Sequence, residues 1–167
     1  MNYTELKTNI ESITENSFTD EQLAMFTQQA EQKIYNTVQI PALRRNVTGT
    51  LSVGNKYLGA PTDFLWSYSL AVVDASGDYH YLLNKDVNFV REAYPSALSQ
   101  GLPKHYAYFD DDSFILGPTP DSTYTMELHY GYYPASIVTA GTTWLGDEFD
   151  SALLNGTLIE AIRFMKG

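Results

Sequence analysis

The stretch from Tyr106 to Tyr133 constrains this chain more than any other. Tyr124, Met126, Leu128, Tyr130 and Tyr132 alternate with Thr123, Thr125, Glu127, His129, Gly131 and Tyr133. Strict alternation over that length is the pattern of a half-buried strand, because successive side chains of a pleated strand point to opposite faces. The strand is predicted to return from a shorter arm, residues 106–109 and 114–116, which flanks a polar turn of Asp110, Asp111, Asp112 and Ser113. A second turn covers 117–121, and its prolines fall outside the ladder, where a missing N–H does no harm.

The same period of two governs much of the preceding segment. Val47, Gly49, Leu51 and Val53 alternate with Thr48, Thr50 and Ser52, and Gly54 and Asn55 make a turn. Residues 64–73 read as a second strand with Trp66, Tyr68, Leu70 and Val72 on one face, and 79–83 as a third after a turn at 74–78. Such short connections predict a meander, hence an antiparallel sheet. Asn84 is placed to cap a short helix over 85–94 that Pro95 terminates. Residues 96–103 have the composition of a surface loop.

Helical signals lie at the two ends. Asn2 with Glu5, and Thr19 with Gln22, have the spacing of capping boxes. Leu6, Ile10 and Ile13 stripe the first helix, and Leu23, Phe26, Ala30, Ile34 and Val38 the second. Phe18 is predicted to meet Leu23 as a hydrophobic staple, and Pro41 to end the second helix. After a loose stretch over 135–141, a final helix follows Trp144 and Leu145. It carries two apolar stripes, Phe149, Ala152, Leu153, Gly156 and Ile159 on one side, Leu154, Leu158, Ala161 and Met165 on the other. Two stripes call for two covers: the N-terminal helices, and either a neighbouring subunit or chain following Gly167.

These elements add up to an α+β chain. Its 167 residues fit a single domain divided into a helical hairpin over 1–46, an antiparallel β region with a short helix over 47–134, and a linker and helix over 135–167. Apolar residues at 44% against 18% charged exclude a disordered chain. The 13 tyrosines suit strands and protein interfaces, each joining a large apolar face to a polar tip. There is no cysteine, so no disulfide framework and no thiolate chemistry. The first residues lack the apolar core of a signal peptide, and no run approaches the length of a membrane span. Net charge is −10, and acids outnumber bases in each of these three parts, which argues against a phosphate-gripping surface.

Reactive constellations are not legible. His80, His105 and His129 lack the short spacings that set two imidazoles on one metal. The aspartate run at 110–112 is followed by Phe114 and Ile115 where a calcium loop needs ligands, so a polar turn accounts for it better. Residues 54–59 lack the ending of a phosphate loop, and no serine sits in a nucleophile elbow. No catalytic, cofactor-binding or metal residue is assigned. Glu160, within an apolar run, has Arg163 three residues on as a base. Arg44 and Arg45, the adjacent basic pair, are read either as partners of an acidic neighbour, including one on another subunit, or as two solvated loop arginines.

The residues 106–109, then Ile115-Leu116-Gly117-Pro118-Thr119-Pro120-Asp121, then 124–130, resemble the head-to-tail adaptor (connector) proteins of tailed bacteriophages. The likeness runs on through Thr143-Trp144-Leu145, Ala152-Leu153-Leu154, Glu160-Ala161 and Phe164-Met165-Lys166-Gly167, and covers the earlier chain more loosely. The resemblance implies a non-enzymatic virion protein at the head–tail junction, assembled in the host cytoplasm. It implies a ring of twelve copies beneath the portal protein, contacting tail or nozzle proteins and passing DNA through its lumen without specific binding. No cofactor and no membrane are implied. Relatives usually continue past the matching Lys-Gly into a portal-contacting segment. Within this reading Arg44, Arg45, Phe149, Leu153 and Arg163 are the expected interface residues. The alternatives are another neck or head-closure ring, and a carbohydrate or protein recognition module using exposed aromatics.

Overall fold

The computed structural model describes residues 1–38 and 40–166; Gly167, the last residue of the adaptor-like motif, lies outside them. The chain is α+β and divides into two compact units, one of residues 1–42 and 134–167, the other of residues 43–133.

The first unit is helical. Helix α1 (Tyr3–Thr14) starts at Asn2, whose Oδ1 accepts the Glu5 N–H at 2.9 Å while Glu5 Oε2 accepts the Asn2 N–H at 3.0 Å. Helix α2 (Asp20–Thr37) repeats the device with Thr19 and Gln22. Each box satisfies two of the N–H groups that a helix start leaves unpaired. Phe18 packs its ring edge-on against Phe26 at 5.4 Å. Helix α2 stops before Pro41, as expected, and a 3-10 turn follows at Pro41–Leu43.

The C-terminal part holds three helices where one was expected. The stretch read as loose contains α4 (Ile137–Ala140), capped by Ser136, and the final segment divides into α5 (Trp144–Glu148) and α6 (Asp150–Lys166). The region between α2 and these, in the other unit, holds α3. The buried face of α6 is Leu153, Thr157, Glu160 and Ala161. It therefore runs between the two predicted stripes and takes one residue from each, while Phe149, Ile159 and Met165 lie exposed. Gly156 faces α2: a Cβ there would lie 3.2 Å from the Cβ of Ala30, so two small residues set a close crossing of α2 and α6.

The second unit is a two-sheet sandwich with one helix. Its strands are β1 (Arg44–Thr50), β2 (Tyr57–Gly59), β3 (Phe64–Val73), β4 (Tyr79–Tyr81), β5 (Leu83–Asn84), β6 (His105–Asp110), β7 (Ser113–Gly117) and β8 (Thr125–Tyr132). One sheet has the order β1-β8-β3-β4 and the other β2-β7-β6-β5. The long hairpin expected over 106–133 is thus shared between sheets. Strands β6 and β7 pair with each other, but β8 crosses to lie between β1 and β3. The predicted antiparallel order holds except at β5–β6, which is parallel because one continuous stretch, 79–84, leaves the first sheet and joins the second.

Alternation on β8 is as read, with Met126, Leu128 and Tyr130 buried. They meet Leu70, Val72, Tyr106, Phe114 and Leu116 in the core between the sheets. The other face of the second sheet packs Ala107 and Ile115 against Val90 of α3 (Val87–Ala93). Asp86, not Asn84, caps α3, accepting the Asn88 N–H at 2.8 Å, because Asn84 is spent as a strand residue of β5. On β3 the predicted single stripe is broken. The register with β8 shifts between Ser67 and Ser69, so Leu70 and Val72 enter the core while Trp66 and Tyr68 stand on the opposite face. A bulge of one residue reverses which side every later side chain takes.

Candidate assembly surfaces

The helical unit leaves much apolar surface outside its core. Helices α2, α5 and α6 border a groove of about 230 Å³ lined by apolar surface alone: Ile34, Tyr35, Val38, Ile40, Trp144, Leu145, Phe149 and Ala152. Phe149 is 53% exposed and rests its ring on Trp144 at 5.1 Å. Farther along α6, Ile159, Ile162, Phe164 and Met165 are also large and exposed. Scattered apolar residues are ordinary on a protein surface, and Phe164 turns to Phe26 of α2 at 5.3 Å, but the groove with exposed Phe149 at its wall is a candidate interaction face.

The expected interface residues fall in different settings. Phe149 is on this face. Arg163 is exposed at its border and donates to Glu160 Oε1 at 3.3 Å. Leu153 is 0% exposed, inside the helical core, and so offers no surface. It shares the expected stripe of Phe149, but the buried face of α6 is rotated from that stripe. Glu160, 8% exposed, also accepts from Lys33 Nζ of α2 at 2.5 Å, so two cations compensate the buried carboxylate.

Arg44 and Arg45 are strand residues, not loop residues, and alternation sends them to opposite faces of β1. Arg45 Nη1 donates to Asp63 Oδ2 at 2.6 Å, and its guanidinium lies 3.8 Å from the Tyr132 ring centroid. Asp63 Oδ1 in turn accepts from the Tyr130 hydroxyl at 2.9 Å. The acidic neighbour of Arg45 is thus within its own unit. Arg44 stacks on Tyr68 at 4.2 Å and, among the described residues, forms no ion pair.

The histidines are apart and each is engaged. His80 Nε2 is 2.8 Å from Asp74 Oδ2, His105 Nδ1 is 2.8 Å from the Tyr94 hydroxyl, and His129 lies against the Tyr68 ring. The His80 contact, followed by the Asp78 N–H, holds the Asp74 carboxyl below its usual range, and burial lowers His105. Asp110 closes its turn by accepting from Ser113 Oγ at 2.7 Å and the Asp112 N–H at 3.0 Å, which also lowers its pKa. Among the described residues no three His, Asp or Glu side chains converge as a metal site, and no helix is long and apolar enough to cross a membrane.

Sequence reasoning missed the groove residues Ile34, Val38, Ile40 and Trp144 as a set, since they come together only when α2 and α5 are adjacent. It also missed the exposure of Tyr79, Tyr81 and Leu83, although their spacing of two beside inward Leu82 is visible in the sequence.

No curated protein matches the chain by sequence. The family model of the SU10 adaptor protein does match, over residues 1–167, and the chain belongs to that family of phage structural adaptors, components of the virion at the head–tail junction.

Proposed function

We propose that the protein is a non-enzymatic ring subunit of the neck of a tailed phage, assembled in the host cytoplasm. Twelve copies close beneath the portal, join capsid to tail and leave a lumen through which DNA passes. The observation that carries this reading is the family match along the whole chain. The exposed apolar face of α6 and its groove supports self-association, because each copy gains by burying it and closure multiplies many modest contacts. A net charge of −10 supports a lumen that does not hold its cargo. Phe149 just before α6, Arg163 on α6 and Arg44 on β1 are its contact residues.

Phage carrying a nonsense allele of this gene should yield DNA-filled heads that lack tails in thin-section and negative-stain images. Complementation in trans should restore tailed particles. Normal infectious particles assembled without the protein would refute the reading.

A further inference from the structure

The sandwich has two open sides that match each other. Strands β1 and β4 are the outer strands of one sheet. The Leu82 N–H donates to the Leu70 carbonyl at 2.9 Å, continuing the β3–β4 register, so Leu82 and His80 turn their backbone groups toward β3. Alternation then leaves those of Tyr79 and Tyr81 on the free edge. At the far side the Leu51 N–H donates to the Tyr124 carbonyl at 2.8 Å, which turns Gly49, Val47 and Arg45 toward β8 and leaves Arg44, Asn46, Thr48 and Thr50 on the other free edge. All six of these edge residues are exposed.

The two edges differ in character as partners should. The β1 edge holds Arg44, which forms no ion pair among the described residues, and no acid, in a chain with twice as many acids as bases; the acid partner of Arg45 is Asp63. The 74–86 stretch holds Asp74, Asp78 and Asp86 against Lys85. Tyr79 and Tyr81 stack 6.3 Å apart with 51% and 64% of their surface exposed, large apolar area on a strand whose edge is unpaired. Unpaired strand edges are usually blunted, because they invite pairing with another chain. Direction fits too: β1 opposes β8, β8 opposes β3 and β3 opposes β4, so β4 and β1 run antiparallel.

We propose that β4 of one copy pairs antiparallel with β1 of the next, a head-to-tail contact between copies of this chain that extends the sheet from subunit to subunit. The two surfaces are different patches of one molecule, so the contact is heterologous and propagates into a ring when the rotation closes. Antiparallel pairing brings Arg44, at the start of β1, toward Asp86, beyond the end of strand 79–84. This rests on the ring reading above and specifies its contact.

The absence of cysteine makes the test direct. Double variants T48C/Y81C and T50C/Y79C report one register, and T48C/Y79C and T50C/Y81C the registers two residues to either side. All four positions are exposed, so the core is untouched. Particles assembled under reducing conditions are then oxidised and run on a denaturing, non-reducing gel. The proposal expects most of the monomer band in one register to move into a ladder of covalent multimers, and each single variant to stay monomeric. Dimers from Y81C alone would overturn it in favour of a two-fold β4–β4 contact. No cross-link in any register, in particles that contain the subunit, would overturn it in favour of edges that are merely blunted, and would leave the ring reading standing. That reading fails separately, if images show no ring.

Discussion

Glu31 provides the sharpest test of how the helical unit is held together. It is 2% exposed on α2, and its Oε1 accepts the N–H of Ile137, itself fully buried, at 2.8 Å. Ser136, which caps α4, hydrogen-bonds to the same carboxylate. One side chain thus ties the start of α4 to α2. Replacing it with alanine leaves a buried N–H without an acceptor, a loss of about 1–3 kcal/mol. Glutamine keeps the acceptor and removes the charge. Burial raises the Glu31 pKa in spite of the hydrogen bonds from Ile137 and Ser136. The folded state therefore holds this proton more tightly than the unfolded state, whose glutamate titrates near about 4.3. Below that value both states are protonated and the ionisation penalty is absent. As pH rises through the raised folded pKa the penalty develops in full, so stability falls.

Urea unfolding of a W66F background, where Trp144 alone reports, would show this. E31A should lose about 1–3 kcal/mol at pH 7. E31Q should match the parent near pH 4 and equal or exceed it by pH 8. An E31A variant as stable as its parent, or an E31Q variant that loses as much as E31A at pH 7, would mean that this carboxylate does not tie α4 to α2.

Four further outcomes follow from other contacts. L153A empties a fully buried site and should cost about 2–5 kcal/mol in denaturant unfolding. G131A would set a Cβ 2.4 Å from the Trp66 indole, too close for a ring held in a sheet, so unfolding should show a loss of about 1–3 kcal/mol with a shift in Trp66 emission. The Tyr124 hydroxyl donates to Asp121 Oδ1 at 2.6 Å, which pushes its pKa up to about 12. A carbon-detected NMR titration should find Tyr124 still protonated at about pH 11, where an ordinary tyrosine is ionised, and D121N should lower its midpoint. F149D, at an exposed position, should leave the melting temperature within about 2 °C, as surface substitutions do, yet be depleted from particles when co-expressed with the native chain.

Local signals were the legible part of this fold. The two capping boxes and the termini of β3 depend on side chains and backbone within a few residues of one another, and the sequence carries that information directly. The sheet partner of β8 does not. A strand with one apolar face satisfies its pattern equally in either sheet of a sandwich, and the turn at 117–121 allowed both. The bulge at Ser67–Ser69 was hidden because Trp66 and Tyr68 continue the apolar spacing of Leu70 and Val72. On α6 the spacing of apolar residues pointed to two stripes, but the face that is buried includes Thr157 and Glu160. Thr157 buries its hydroxyl by donating to the Leu153 carbonyl at 2.8 Å, and Glu160 is neutralised by Lys33. Polar residues enter a core when such partners exist, and only the packed neighbours reveal them. The same rotation of α6 exposes Ile159 and covers Leu153, which is why one of the expected contact residues is internal.

Averaged electron cryo-microscopy of the head–tail vertex in intact particles would show whether this chain is a neck ring subunit. A closed ring of this subunit is expected between portal and tail, with Phe149 and the apolar groove covered by neighbouring protein. A vertex that lacks the subunit, or holds it as an isolated copy with that groove open to solvent, would contradict the ring reading.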